Sequence, residues 1–304
     1  MLDNSFYSHR KIFQEYCNLK KEKLVFGGIQ HGWLSEESAI CTDLGKRSIS
    51  IYPFFCWSEN LQRILLQQKI KNTYAIGAPF LYLDKLREKD IPPKEQGTIV
   101  FPSKCHFVDK NVIRVNHEEL IRITEAEHEP PYTASLFHTD MVDKTMNFYK
   151  KKNWKIISFG ERLDPNFLYT LYNEIKKSKN CIFTSIVSPM FYAFFLKKNT
   201  TLVTHFNHNN KLIPIKKTMY EYEVTDEMFY KNNYQFIYHK NKLEQKYLLS
   251  LSELGFSSMK KPDELKLLFG WDSFLKQKIA KIFNYRSKVA HKNFFYKKKK
   301  KVVI

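Results

Sequence analysis

Residues 154–204, WKIISFGERLDPNFLYTLYNEIKKSKNCIFTSIVSPMFYAFFLKKNTTLVT, decide the fold class. Three apolar runs of strand length, Trp154 to Phe159, Asn180 to Phe183 and Thr200 to Thr204, are separated by two stretches with helical spacing, Asn166 to Lys177 and Pro189 to Lys197. Each strand–helix–strand passage is one βαβ unit, and repeated units of this kind build a parallel sheet. A strand at Thr133 to Phe137 and a helix at Met141 to Lys151 extend the series towards the amino terminus. In an open parallel sheet, ligands lie at the carboxyl ends of the strands. That directs attention to Gly160, Glu161 and Arg162 after one strand, and to Thr184, Ser185, Ser188 and Pro189 after the next.

The same alternation holds further upstream. Strands are predicted at Lys23 to Ile29, Ser48 to Cys56, Thr73 to Ile76 and Thr98 to Phe101. A helix is predicted from Glu59 to Ile70, with Leu61, Ile64, Leu65 and Gln68 on one face. Residues 1–22 read as helical or irregular, so this half looks shortened. Glu129-Pro130-Pro131 disfavours helix and reads as an interdomain connection. A chain of 304 residues exceeds the size at which one core usually stops growing. The expectation is an α/β protein with two Rossmann-like domains facing a cleft: an acceptor-side domain over residues 1–130, a nucleotide-sugar-binding domain over 131–255, and a basic helical tail over 256–304.

Composition narrows the function classes. A hydrophobic fraction of 43% is enough to build a core and argues against disorder. The first residues offer no apolar signal segment, and the uncharged stretch Cys181 to Leu196 is interrupted by Thr184, Ser185, Ser188 and Pro189. A cytoplasmic chain without a spanning helix is expected. Five scattered cysteines without a CxxC pattern read as reduced thiols and imply no zinc site. The net charge is +19, of which residues 256–304 supply +11, from thirteen Lys and one Arg against two Asp and one Glu. No RRM, KH or zinc-knuckle pattern accompanies that charge, which argues against a nucleic-acid partner.

Individual residues then suggest chemistry. Gly27-Gly28-Ile29-Gln30-His31-Gly32-Trp33 places a histidine directly after a strand, between glycines that let a ligand approach the backbone. A histidine there can accept a proton from an attacking hydroxyl, and the same spacing suits one that only caps a turn. Ser185 and Ser188 precede a helix expected near Pro189, where free N–H groups and hydroxyls favour a phosphate. Arg162 can add bidentate, charge-assisted bonds. The alternatives are an N-cap role for Ser188 and a solvated Arg162. Phe183, Phe191, Tyr192, Phe194 and Phe195 read as core packing, not as a lipid pocket. No Asp-x-Asp pair is present, and Asp140 and Asp143 stand three apart, so no metal and no other cofactor is expected.

Taken in order, QHGW at residues 30–33, IGAPF at 76–80, FPS at 101–103, FGERLDPNFL at 159–168 and TSIVSPMFYAFFLKKNTTLV at 184–203 resemble bacterial glycosyltransferases of the GT-B type from capsule and lipopolysaccharide loci. The resemblance implies a nucleotide sugar bound between two halves, with the nucleotide on the carboxyl-terminal one. His31 would be the catalytic base, with Gly160, Glu161, Arg162, Thr184, Ser185, Ser188 and Pro189 as donor contacts. Gln30, Gly32, Pro102 and Lys104 would contact phosphate or acceptor. The sequence departs from the pattern after Pro102, where Lys104 and Cys105 stand in place of a histidine and a serine and His106 follows. Two other readings remain: a CDP-polyol phosphotransferase of teichoic-acid type, and a non-catalytic glycan-assembly protein.

In the tail, Leu275, Ile279, Ile282 and Phe283 fall on one helical face, with Lys276, Lys278, Lys281 and Lys288 mostly off it. Phe294-Phe295-Tyr296 and five lysines follow. Such a tail suits an anionic membrane surface, where a lipid-linked glycan acceptor would sit, and equally suits a helix that packs back on the first half.

Overall fold

The computed structural model describes residues 4–34, 52–102, 115–203, 234–239 and 241–282. Strand residues 48–51, Thr204, Lys104, Cys105, His106 and the tail beyond residue 282 lie outside the described residues. In chain order the elements are α1 (His9–Tyr16), β1 (Gly28–Ile29), β2 (Phe54–Cys56), α2 (Glu59–Gln67), β3 (Thr73–Ala75), α3 (Pro79–Leu86), β4 (Thr98–Phe101) and α4 (His117–Glu127). There follow β5 (Tyr132–Ser135), α5 (Asp143–Lys150), β6 (Lys155–Ile157), α6 (Phe167–Lys177), β7 (Asn180–Phe183), α7 (Ser188–Phe195) and β8 (Asn199–Leu202). The chain then continues through α8 (Leu243–Glu253), α9 (Pro262–Leu268) and α10, residues 274–282.

The fold is α/β. Among the described residues the strands form two sheets, β1-β2-β3 and β6-β5-β4-β7-β8, and each pairing is parallel. The strand Thr98–Phe101 is not in the first sheet, as its position before Pro130-Pro131 suggested. It is the central strand of the second, paired with β5 on one side and β7 on the other. All four of its residues are buried, as a strand covered on both faces requires. The Gly97 carbonyl accepts from the Lys179 and Asn180 amides, and the Thr98 amide donates to Pro131, so this register is locked just before the strand begins.

Several element ends also shift. The run from Lys23 contributes only Gly28–Ile29 to the sheet, because Phe26 pairs instead with the Phe269 carbonyl. Helix α2 stops at Gln67, where Lys69 takes φ +66. Helix α7 starts one residue earlier than expected, with Val187 as its N-cap, Ser188 in its first turn and Pro189 behind it.

One apolar core joins the halves. It runs from Ile12 and Phe13 through Phe55, Trp57 and Phe80 to Phe183, Phe191, Phe194, Phe269 and Trp271. Phe80 of the first half stacks on Tyr192 of the second, centroids 4.1 Å apart. The aromatic run of α7 is therefore core, as its sequence indicated.

Residues 256–282 fold back on the first half. Lys23 Nζ donates to the Trp271 carbonyl (2.5 Å), the Trp271 indole to Leu24 (3.1 Å), and Gln277 Nε2 also to Leu24 (2.7 Å). The apolar face expected of α10 does not carry this packing: Leu275 and Ile282 are 66% and 48% exposed. Hydrogen bonds from Gln277 and burial of Ala280 seat the helix instead, on the opposite side.

The end of α8 depends on Gly255, which has φ +69 and whose added Cβ would lie 1.9 Å from the Trp57 carbonyl oxygen. Gly255→Ala should lower stability by about 3 kcal/mol or more, from a strained backbone plus a steric clash with backbone atoms. Urea unfolding measures this; an unchanged midpoint would contradict the close approach.

Candidate functional site

The candidate residues lie in loops at the carboxyl ends of both sheets. After β1, Gln30 is buried and every group of its amide is used: Oε1 accepts the Trp57 amide (2.7 Å) and Nε2 donates to the Gly32 carbonyl (2.8 Å). Its carbonyl accepts the Trp57 indole N–H (3.2 Å). Gln30 thus shapes the turn that presents His31. The half-buried His31 ring meets Phe6 edge to face, centroids 4.5 Å apart.

The next residues tie this loop to the second half. The Trp33 amide donates to Ser188 Oγ (2.8 Å), its indole N–H to Glu253 Oε2 (2.5 Å), and its ring lies 4.9 Å from Phe191. A Cβ at Gly32 would come within 3.3 Å of Ser188 Oγ, so a glycine lets the loop lie close to the first turn of α7. The Ser188 hydroxyl also bonds Tyr192, whose phenol is pushed up by burial. Ser188 is therefore committed to holding the two halves together through its side chain, and what it can offer a ligand is its backbone N–H.

In the second sheet the chain runs from β4 outward to β5 and β6, then crosses to β7 on the other side of β4. In a parallel sheet with such a reversal, the carboxyl ends of β4 and β7 are the usual place for a ligand. Pro102 follows β4, and the buried Thr184 and Ser185 follow β7. Gly160 lies in the loop after β6 with φ +88, and a Cβ there would meet Asp164 Oδ2 at 2.4 Å, so only glycine fits. Glu161 and Arg162 are exposed in the same loop.

A segment that sequence reasoning did not single out bridges these loops. Asn4 pairs along β1 by donating to the Gly27 carbonyl (2.9 Å) and accepting the Ile29 amide (2.8 Å). Three residues on, the Tyr7 amide donates to the Arg162 carbonyl (2.6 Å), and Ser8 Oγ donates to the Asp164 carbonyl (3.2 Å) and accepts the Leu168 amide (3.3 Å). Tyr7 and Ser8 hold left-handed φ values of 54° and 66°, a strain that surrounding contacts must offset. Burial raises the Tyr7 phenol pKa, and the charge of Arg162 acts against that rise. His9, next in line, is fully buried and hydrogen-bonded to the Gln30 backbone. Its Nδ1 meets no hydrogen-bond partner among the described residues. No periodicity or motif marks residues 4–9; they matter through tertiary contacts alone.

Among the described residues, no group of three or more His, Cys, Asp or Glu is placed to hold a metal ion. No helix among them is long and apolar enough to cross a membrane. An open groove lined by Glu59, Arg63, Ser252 and Ser257, among others, runs between α2 and the end of α8.

No family model and no curated protein matches the chain. Among solved structures it is similar to the wall teichoic acid polymerase TagF, at 14% identity over 77% of this chain and 60% of that one, with a TM-score of 0.41. It is also similar to UDP-GlcNAc 2-epimerase from Neisseria meningitidis bound to UDP-GlcNAc, at 13% identity over 66% of this chain and 59% of that one, with a TM-score of 0.32. The chain therefore spans about 60% of the length of either structure.

The buried His9 makes stability pH-dependent. Burial, and next the charge of His31, hold its pKa well below 6.5, while the bond to Gln30 acts the other way. As pH falls below about 6.5 the unfolded chain takes up a proton that the folded chain refuses, so stability is full above that pH and declines below it, by about 1.4 kcal/mol per pH unit for one group. Urea unfolding at pH 7.5 and 5.5 should show a fall about 1.4 kcal/mol larger in the native sequence than in His9→Gln. Equal falls would mean that His9 is not held neutral.

Proposed function

We propose that the chain is a glycosyltransferase of GT-B type that moves a sugar from a nucleotide-sugar donor to a lipid-linked or surface polysaccharide acceptor of the capsule or lipopolysaccharide kind, at the inner face of the cytoplasmic membrane. The observation that carries this reading is the meeting of the loop after β1, which bears His31, with the first turn of α7 through Trp33 and with the Arg162 loop through Phe6 and Tyr7. In this reading His31 accepts the proton of the acceptor hydroxyl as it attacks the anomeric carbon, which gives inversion by direct displacement. Charge developing on the leaving phosphate is met by Arg162 and by the N–H groups at the amino end of α7. Thr184, Ser185 and Pro102 lie at the ends of β4 and β7, where the nucleotide binds, with Gly160 and Glu161 beside it and Lys104 further along the chain after Pro102.

A second reading, transfer of a polyol phosphate from a CDP-linked donor, would use the same loops. Both readings share a nucleotide-linked donor, and product mass separates transfer of a sugar from transfer of a polyol phosphate.

Titration with UDP-, GDP-, CMP- and dTDP-sugars and with CDP-glycerol should show saturable binding of at least one, with slow donor hydrolysis. Absence of binding at millimolar concentration would overturn the proposal. With that donor, His31→Ala should cut turnover by about 10² to 10⁴ and leave affinity nearly intact, as expected for loss of a general base. Arg162→Ala should weaken nucleotide binding by about 1.5–3 kcal/mol, as for a lost charge-assisted bond. An unchanged dissociation constant would remove Arg162 from the site.

A further inference from the structure

The carboxyl-terminal helix α10 is seated in an unusual way. At about 100° per residue, Lys281, Phe274, Lys278, Ile282 and Leu275 fall in that order within an arc of about 120°. The apolar members of the arc are exposed: Phe274 by 85%, Leu275 by 66% and Ile282 by 48%. Lys278 and Lys281 between them are exposed as well. The opposite side of the helix is the one that is used. Ala280 is buried there, Gln277 donates to the Leu24 and Gly270 carbonyls, and Lys276 lies over the Phe26 ring with its Nζ 5.9 Å from the centroid. The helix is thus fixed to the body of the protein chiefly through its small and polar residues and turns Phe274, Leu275 and Ile282 outward, with Ile279 half-buried.

We propose that this outward face of α10 docks the protein on an anionic lipid bilayer, with Phe274, Leu275 and Ile282 entering the headgroup boundary and Lys278 and Lys281 meeting lipid phosphates. Charge selects this occupant. The described part of α10 has no acidic residue, and residues 283–304, which follow it directly, contain eight Lys and Arg and no Asp or Glu. A second copy of the chain docking face to face would bring the same positive charges together. A nucleic acid would satisfy the lysines, yet it would leave Leu275 and Ile282 in water, since bases stack on aromatic faces. A bilayer interface accommodates both components in one plane, apolar side chains below and ammonium groups at the phosphates. Because the helix is anchored by hydrogen bonds to Leu24, which leads into β1, docking would also set which way the His31 edge faces relative to the lipid. The inference does not depend on the donor chemistry proposed above: vesicle binding and nucleotide binding are measured separately, and either can fail alone.

The test is sedimentation of the full chain with vesicles of phosphatidylcholine alone or with phosphatidylglycerol at about three to one, in low salt. The native chain should partition to the anionic vesicles and be released as salt approaches about 1 M, where the Debye length is about 3 Å. Phe274→Ser, Leu275→Ser and Ile282→Ser together should lower the partition coefficient at least about tenfold. Lys278→Gln and Lys281→Gln should lower it about fivefold each. These positions are exposed, so an unchanged urea midpoint confirms that the variants fold. Equal partitioning of the apolar triple variant and the native chain would overturn the proposal and leave only the lysine run in contact with lipid. Binding of a single-stranded RNA oligonucleotide that is lost in the same variant, without vesicle binding by the native chain, would overturn it in favour of nucleic acid.

Discussion

The hydrogen bond from the Trp33 amide to Ser188 Oγ is the contact on which the rest of the arrangement turns. A bond of this kind contributes about 0.5–1.5 kcal/mol net, whereas each fully buried aromatic of the shared core contributes about 1.5–3 kcal/mol. Stability therefore comes from Trp57, Phe80, Phe191 and their neighbours, and the bond decides something else. It sets the loop after β1 against the first turn of α7, so that the carboxyl edges of the two sheets meet at His31. The same hydroxyl reaches Tyr192, which stacks on Phe80, and so the polar contact at the edge and the aromatic contact in the core fix one geometry. Gln30 supports it from the other side, its side-chain amide tying the turn at Gly32 to the Trp57 backbone.

Residues 4–9 complete the arrangement. They pair with β1 through Asn4 and with the Arg162 loop through Tyr7 and Ser8, at the cost of two left-handed residues. Phe6 lies against His31 in the same bridge. Phe6 and Tyr7 thus link the His31 ring to the Arg162 loop.

The α/β class was legible because buried parallel strands read as apolar runs, and the second half obeys that rule closely: β7 is Asn180–Phe183, as its sequence indicates. The strand Thr98–Phe101 was visible as a strand, but its sheet was not. Nothing local distinguishes a strand that ends one sheet from one that centres the next; its partners lie more than thirty and eighty residues away. The QHGW loop could be singled out because glycines beside a histidine at a strand end mark a close approach. The contacts that Ser188 and Gln30 make within the fold were not legible for a related reason: a hydroxyl before a helix shows no partner until the Trp33 amide is seen to donate to it. His9 and Tyr7 carried no signal, since a segment whose value lies in contacts more than twenty or 150 residues distant has no period to detect. In α10 the apolar spacing was seen but its direction was left open, because spacing alone does not say which face a helix presents to its neighbours.

The proposed ligand site lies where the carboxyl edges of the two sheets meet. A crystal of the protein grown with whichever nucleotide diphosphate binds it tests this directly. The predicted result has the pyrophosphate within hydrogen-bond reach of the α7 amino terminus and the Arg162 guanidinium, the base between the ends of β4 and β7, and His31 opposite. A nucleotide bound in the groove between α2 and α8, against Arg63 and Ser257, with the His31 edge empty, would contradict it.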